Sequence, residues 1–102
     1  MRGFLATPLV CLAFGLALVP AAALAVDATA VMADACAGCH GTDGQSIGGM
    51  PAFSGKKGDE LSSLLHDYKS GRRPATVMNR HAKGFSDEEI ATLAAYISAN
   101  WR

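Results

Sequence analysis

Hydrophobic and polar positions divide this chain into one long apolar run, followed by short helical stripes separated by glycine-rich stretches. Residues 4–19 are apolar apart from small residues, Thr7 and Pro8. Further on, Val31, Met32 and Ala35 recur at helical spacing in the alanine-rich residues 26–37 and predict a first helix. Its weak stripe implies close packing against another helix, with Met32 as a core residue. Leu61, Leu64, Leu65 and Tyr68 follow i, i+3, i+4, i+7 and predict a second helix, capped by Asp59 and stopped by Gly71. His66 falls off that stripe and is expected at the solvated surface. The clearest helix is the last. Ser86-Asp87-Glu88-Glu89 forms a capping box with acids at the positive end of the dipole, ahead of a buried face of Ile90, Leu93, Ala94 and Ile97. Tyr96 and Trp101 are expected to add packing near its end. No alternating strand pattern appears, so the predicted fold class is all-α with three main helices.

The first apolar run has the three parts of a secretory leader: Arg2 at its start, the apolar stretch, and Ala23-Leu24-Ala25 as a small-x-small cleavage site. A retained anchor is the rival reading, but the apolar core is short of the roughly 20 residues that span a bilayer. Cleavage after Ala25 removes residues 1–25, with Cys11 among them, and leaves residues 26–102 as one domain without a stable membrane span. Losing Arg2 leaves eight Lys/Arg against nine Asp/Glu. That balance argues against nucleic acid or an anionic membrane as partner, since both call for a clear positive excess. A domain this short buries only about 60% of its unfolded surface and usually needs a staple.

The two cysteines that remain supply a candidate staple. Cys36-Ala37-Gly38-Cys39-His40 reads as a covalent attachment site for a c-type haem. Two thiols three positions apart on a helical turn can each add to one vinyl group of the same porphyrin. The histidine that follows is then held beneath the iron. His40 separates this motif from a thioredoxin-like pair, which needs no metal ligand there. A disulfide within the motif would close a trivial loop and stabilise little. Export fits as well, because c-type haem is attached outside the cytoplasm. Residues 41–55 contain five glycines and Pro51, and are better explained as a loop wrapping a bound cofactor than as a linker. A second irregular stretch is expected over residues 72–85.

The sixth ligand of such an iron decides its chemistry. Candidates are Met32, Met50, Met78, His66 and His81. Met78 lies 38 residues after His40, in a segment that a helix pair can bring to the opposite haem face. Met50 is too near His40 in sequence to reach that face easily. His81 is the serious competitor, one helical turn from Met78. Met78 is the preferred reading.

These residues resemble the class I cytochromes c. Within that family the similarity is greatest to the cytochrome subunit of flavocytochrome c sulfide dehydrogenase and related periplasmic diheme cytochromes. It is carried by the haem motif, by Met50-Pro51-Ala52-Phe53 with Gly55, and by Tyr68-Lys69-Ser70-Gly71-Arg72-Arg73-Pro74. It continues through Ala75-Thr76-Val77-Met78, Ala82-Lys83-Gly84-Phe85-Ser86-Asp87-Glu88-Glu89 and Leu93-Ala94-Ala95-Tyr96-Ile97. The resemblance implies a small class I fold around one covalently bound haem c. It implies thioethers at Cys36 and Cys39, His40 and Met78 as axial ligands, and a hydrogen bond from His40 to the Pro51 carbonyl. It further implies that Tyr68 and Arg72 or Arg73 meet the haem propionates. One departure stands out. The diheme relatives carry two haem motifs on a chain about twice as long, whereas this chain has one.

No nucleophile, acid–base pair or substrate pocket stands out in the sequence, so the expectation is an electron-transfer protein, not an enzyme by itself. The leading expectation is a periplasmic haem subunit accepting electrons from a flavoprotein (FAD) sulfide dehydrogenase. The alternatives are a diffusible periplasmic carrier to an oxidase, reaction centre or other redox protein, and a haem sensor or peroxidase with Met78 displaced.

Overall fold

The computed structural model describes residues 27–102. The expected leader at residues 1–25 lies outside the described residues. Helix α1 (Ala28–His40) begins where the Asp27 carboxylate accepts the Thr29 amide at 2.9 Å. It stops at Gly41, whose φ of +83° breaks the helical path, and a single 3-10 turn follows at Thr42–Gly44. Helix α2 spans Gly58–Ser70, α3 Met78–Lys83 and α4 Asp87–Asn100. No strand occurs among the described residues, in agreement with the all-α expectation.

Two local expectations need correction. The stretch over residues 72–85 is not irregular throughout, because α3 is a fourth helix within it. Six residues with only Ala82 buried carry too little periodicity to be read from sequence. Asp59 does not cap α2. Lys57 takes the N-cap position without a side-chain bond, and Asp59 lies in the first turn, accepting the Glu60 amide at 2.9 Å. An acid there still complements the positive helix end. Gly71 ends α2 as expected, in the left-handed conformation with φ +78°.

The capping box of α4 is complete. Ser86 Oγ accepts the Glu89 amide at 3.1 Å, and the Glu89 carboxylate accepts the Ser86 amide at 2.8 Å. Behind it, Ile90, Leu93, Ala94 and Ile97 are all buried. Leu93, Ala94 and Ile97 form the core with Ala33 of α1, Leu61 of α2 and Trp101. Ala33 and Ala94 are each fully buried, and side chains this small suit the close packing of α1 on α4. Val31, expected on the buried stripe, is instead 54% exposed. Close approach of α4 selected the buried face of α1, and it favoured the small Ala33 over the larger Val31.

Helix α3 packs mainly on α2, and α1 mainly on α4, so the two ends of the site lie on different walls of the molecule. Lys69, in the last turn of α2, ties this arrangement together. Its ammonium donates to the Phe85 carbonyl at 2.7 Å and to Asp87 at 2.8 Å. His66 is half-buried, with Nδ1 3.7 Å from the same Asp87 carboxylate.

Replacing Ser86 with alanine removes one half of the capping box and should cost about 1 kcal/mol, read as a lower denaturant midpoint with an unchanged slope. The hydrogen bond and charge of Lys69 hold the Asp87 carboxyl below its ordinary value. A carboxyl depressed by folding contributes stability above its unfolded pKa and loses it as pH falls through the folded one. The stability gap between the unmodified protein and Asp87→Asn should therefore be widest near neutrality and close on acidification through the carboxylate range.

Candidate functional site

The last turn and a half of α1 delivers Cys36, Cys39 and His40 to one wall of a cavity of about 710 Å³. This lies within the roughly 300–1,000 Å³ range of sites for cofactor-sized molecules. Leu61, Leu64 and Leu65 of α2, Phe85, and Leu93 and Ile97 of α4 supply apolar walls. Met78 and His81 of α3 line it from the segment packed on α2.

His40 is buried, and its Nδ1 donates to the Pro51 carbonyl oxygen at 2.7 Å. A carbonyl can only accept, so the proton sits on Nδ1 and the Nε2 lone pair is left free for a metal. The loop that brings Pro51 is fastened at several points. The Ser46 amide donates to the His40 carbonyl at 2.6 Å, and the Ser46 hydroxyl donates to the Met50 carbonyl. The Gly44 carbonyl accepts the Phe53 amide at 2.9 Å and the Ser54 amide at 3.2 Å. At the loop's far end the Gly55 amide reaches the Trp101 carbonyl at 3.0 Å. Thus fixed, Phe53 meets the His40 ring edge-on at 4.9 Å and stacks on Trp101 at 5.6 Å.

Cys36 is half-buried and its thiol donates to the Met32 carbonyl at 3.6 Å, while Cys39 is exposed. Burial pushes the Cys36 thiol above its ordinary value. A thioether at this position carries no charge, which suits an apolar wall. The residues therefore fit a covalently bound haem. Two thiols, a pre-oriented imidazole and a large apolar cavity converge on one site.

The remaining expected site residues separate. Tyr68 and Arg73 line the cavity, with Arg73 Nε donating to the Tyr68 hydroxyl at 3.2 Å and the guanidinium 5.6 Å from the ring centroid. Arg72 does not line it, because its guanidinium is turned to Asp67 at 2.5 Å. Met32 and Met50 both line the cavity, from α1 and from the loop that holds His40, whereas His66 does not. Phe53 is the main residue whose part could not be assigned from sequence. Its only sequence signal was its place in the Met50-Pro51-Ala52-Phe53 run. At the rim Lys56 pairs with Glu60 at 2.6 Å.

Comparison with known proteins agrees with this geometry. The family model described as Cytochrome c matches residues 25–101. The chain is similar to the cytochrome subunit of sulfide dehydrogenase from Chlorobaculum tepidum, with 47% identity over 65% of this chain and 60% of that subunit. The chain thus spans less than two thirds of that relative's length. It is similar to cytochrome c-553 of Nitratidesulfovibrio vulgaris, with 40% identity over 85% of each chain. A third similarity, at 38% identity over 64% of this chain and 31% of the relative, is to the thiosulfate dehydrogenase electron acceptor of Stutzerimonas stutzeri.

A Cβ on Gly44 would sit 2.6 Å from the Phe53 ring, on a backbone with φ +68°. Gly44→Ala should therefore displace Phe53 from His40 and Trp101 and cost more than about 1 kcal/mol. Thermal unfolding, with the near-ultraviolet dichroism of Trp101 as the local reporter, measures both effects.

Proposed function

The chain belongs to the cytochrome c family, and on that basis we propose that it carries single electrons on one haem. Haem c in this family is bound covalently through cysteine, and the protein is an electron-transfer partner, not a catalyst by itself. In our reading Cys36 and Cys39 would hold the haem through thioethers, and His40 Nε2 and the Met78 sulfur would be its iron donors. The observation that carries it is the His40–Pro51 hydrogen bond, 2.7 Å long, between two residues lining a cavity that Cys36, Cys39 and Met78 also line.

The bound cofactor supplies one-electron redox chemistry; the protein's contribution is to hold it still and dry. Pro51 keeps the proton of His40 on Nδ1, which fixes the tautomer and raises the basicity of Nε2. Phe53 limits rotation of the imidazole, and the leucines of α2 exclude water from the cavity. Donors held in one geometry in both oxidation states keep reorganisation small. Tyr68 and Arg73 present a hydroxyl and a fixed guanidinium where a propionate can be paired. Arg72, engaged with Asp67, is not assigned that role.

Similarity to the sulfide dehydrogenase subunit supports a place as the haem subunit of a flavoprotein sulfide dehydrogenase. In that place this chain's haem would accept, one at a time, the electrons that a flavin partner would take from sulfide. A diffusible carrier is the second reading, favoured by the match over 85% of a relative named simply as a cytochrome. Both readings set the protein in the periplasm. The leader pattern at residues 1–25 supports that, and among the described residues no helix is long and apolar enough to cross a membrane.

Native purification followed by size-exclusion chromatography, read at haem and flavin wavelengths, separates the two. Coelution of haem and flavin in a fixed ratio, with haem reduction on adding sulfide, is expected for the subunit. Haem eluting alone as a small protein overturns that assignment in favour of the carrier.

A further inference from the structure

We infer that His81 is a reserve iron ligand: when Met78 is withdrawn, the His81 imidazole takes the position that the thioether leaves. The inference rests on the reading of Met78 as the resting ligand.

Three observations carry it. First, Met78 and His81 lie three residues apart on α3, and both line the cavity. Residues at i and i+3 share a helix face, so a small turn or slide of α3 exchanges one for the other. Second, His81 is uncommitted. Its ring makes no hydrogen bond or ion pair among the described residues, so nothing must be broken to recruit it. Third, α3 is held more firmly at its end than at its start. Ala82 is fully buried, the Phe85 amide donates to the Ala82 carbonyl, and Lys69 grips the Phe85 carbonyl. Residues 74–77, which lead into α3, are exposed, and among the described residues Ala75, Thr76 and Val77 donate no backbone hydrogen bond. Asn79 Oδ1, on the same helix, is buried without a partner, so the present arrangement does not satisfy every polar group of α3.

The other donors are placed elsewhere. Met32 is on α1 with the thioether cysteines, and Met50 adjoins the carbonyl that holds His40. His66 does not reach the cavity. The exchange releases the Met78 sulfur and engages one imidazole nitrogen of His81. No electron moves, and a proton carried by that nitrogen passes to solvent. A thioether raises the reduction potential, so its replacement by imidazole lowers it. Movement of α3 would thus turn a ready electron acceptor into a reluctant one.

The test uses the holoprotein as Met78→Ala, His81→Gln and the double variant. Optical and electron paramagnetic resonance spectra give the spin state, and carbon monoxide binding to the reduced form gives site access. Met78→Ala should stay low-spin with two nitrogen ligands, resist carbon monoxide and show a lowered potential. The double variant should become high-spin and bind carbon monoxide readily, while His81→Gln alone keeps the unmodified spectrum. A high-spin Met78→Ala, or a double variant that remains low-spin, overturns the exchange. A Met78→Ala protein with the unmodified spectrum overturns the Met78 assignment itself, and is told apart by its retained sulfur ligand. Should the Met78 variants fold poorly, low guanidinium added to the unmodified protein provides the same readout. A two-nitrogen low-spin species is expected there, and its persistence in His81→Gln overturns the proposal.

Discussion

The hydrogen bond from His40 Nδ1 to the Pro51 carbonyl joins the two parts of the site that the chain contributes separately. It fixes which imidazole nitrogen is free, and together with the Ser46 amide bond to the His40 carbonyl it ties the end of α1 to the loop. The same loop then brings Phe53 between His40 and Trp101, the residue that follows α4. His40, the glycine-rich loop and the C-terminal helix are thereby one mechanical unit. Gly44 makes the unit possible, because its positive φ and missing side chain leave room for the Phe53 ring.

Opposite that unit, the second wall is built with fewer constraints. Helix α2 has an apolar stripe and a glycine stop, while α3 has six residues and a single buried alanine. Lys69 compensates by holding the α3–α4 turn through a carbonyl and a carboxylate at once. The asymmetry has a chemical sense. On one side His40 is held by several contacts, and on the other α3 follows a lightly bonded strap, so only the second wall is free to adjust the side chains it presents. Small domains rarely bury enough surface to hold a large apolar cavity by themselves. A covalently attached plate filling that cavity is both cofactor and missing core.

The similarities also set a scale for the functional reading. The family match runs through nearly all of the described residues, whereas the sulfide dehydrogenase subunit is covered over 60% of its length. Haem attachment and electron transfer rest on the broader match and on the site geometry together. The choice of partner rests on the narrower one.

Sequence by itself determined the features that local chemistry decides. The spacing of Cys36, Cys39 and His40, the capping box at Ser86, the buried face of α4 and the stop at Gly71 each need only near neighbours, so they were legible before folding. Features that depend on long-range approach were not. Which face of α1 is buried was settled by how closely α4 comes, which favoured Ala33 over Val31. Tyr68 and Arg73 line the cavity while Arg72 turns to Asp67, because the chain leaving α2 points adjacent residues in different directions. Helix α3 and the seat of Phe53 were likewise decided by tertiary structure. A six-residue helix and a ring above a glycine owe their places to the surfaces they pack on, and those surfaces come from distant parts of the chain.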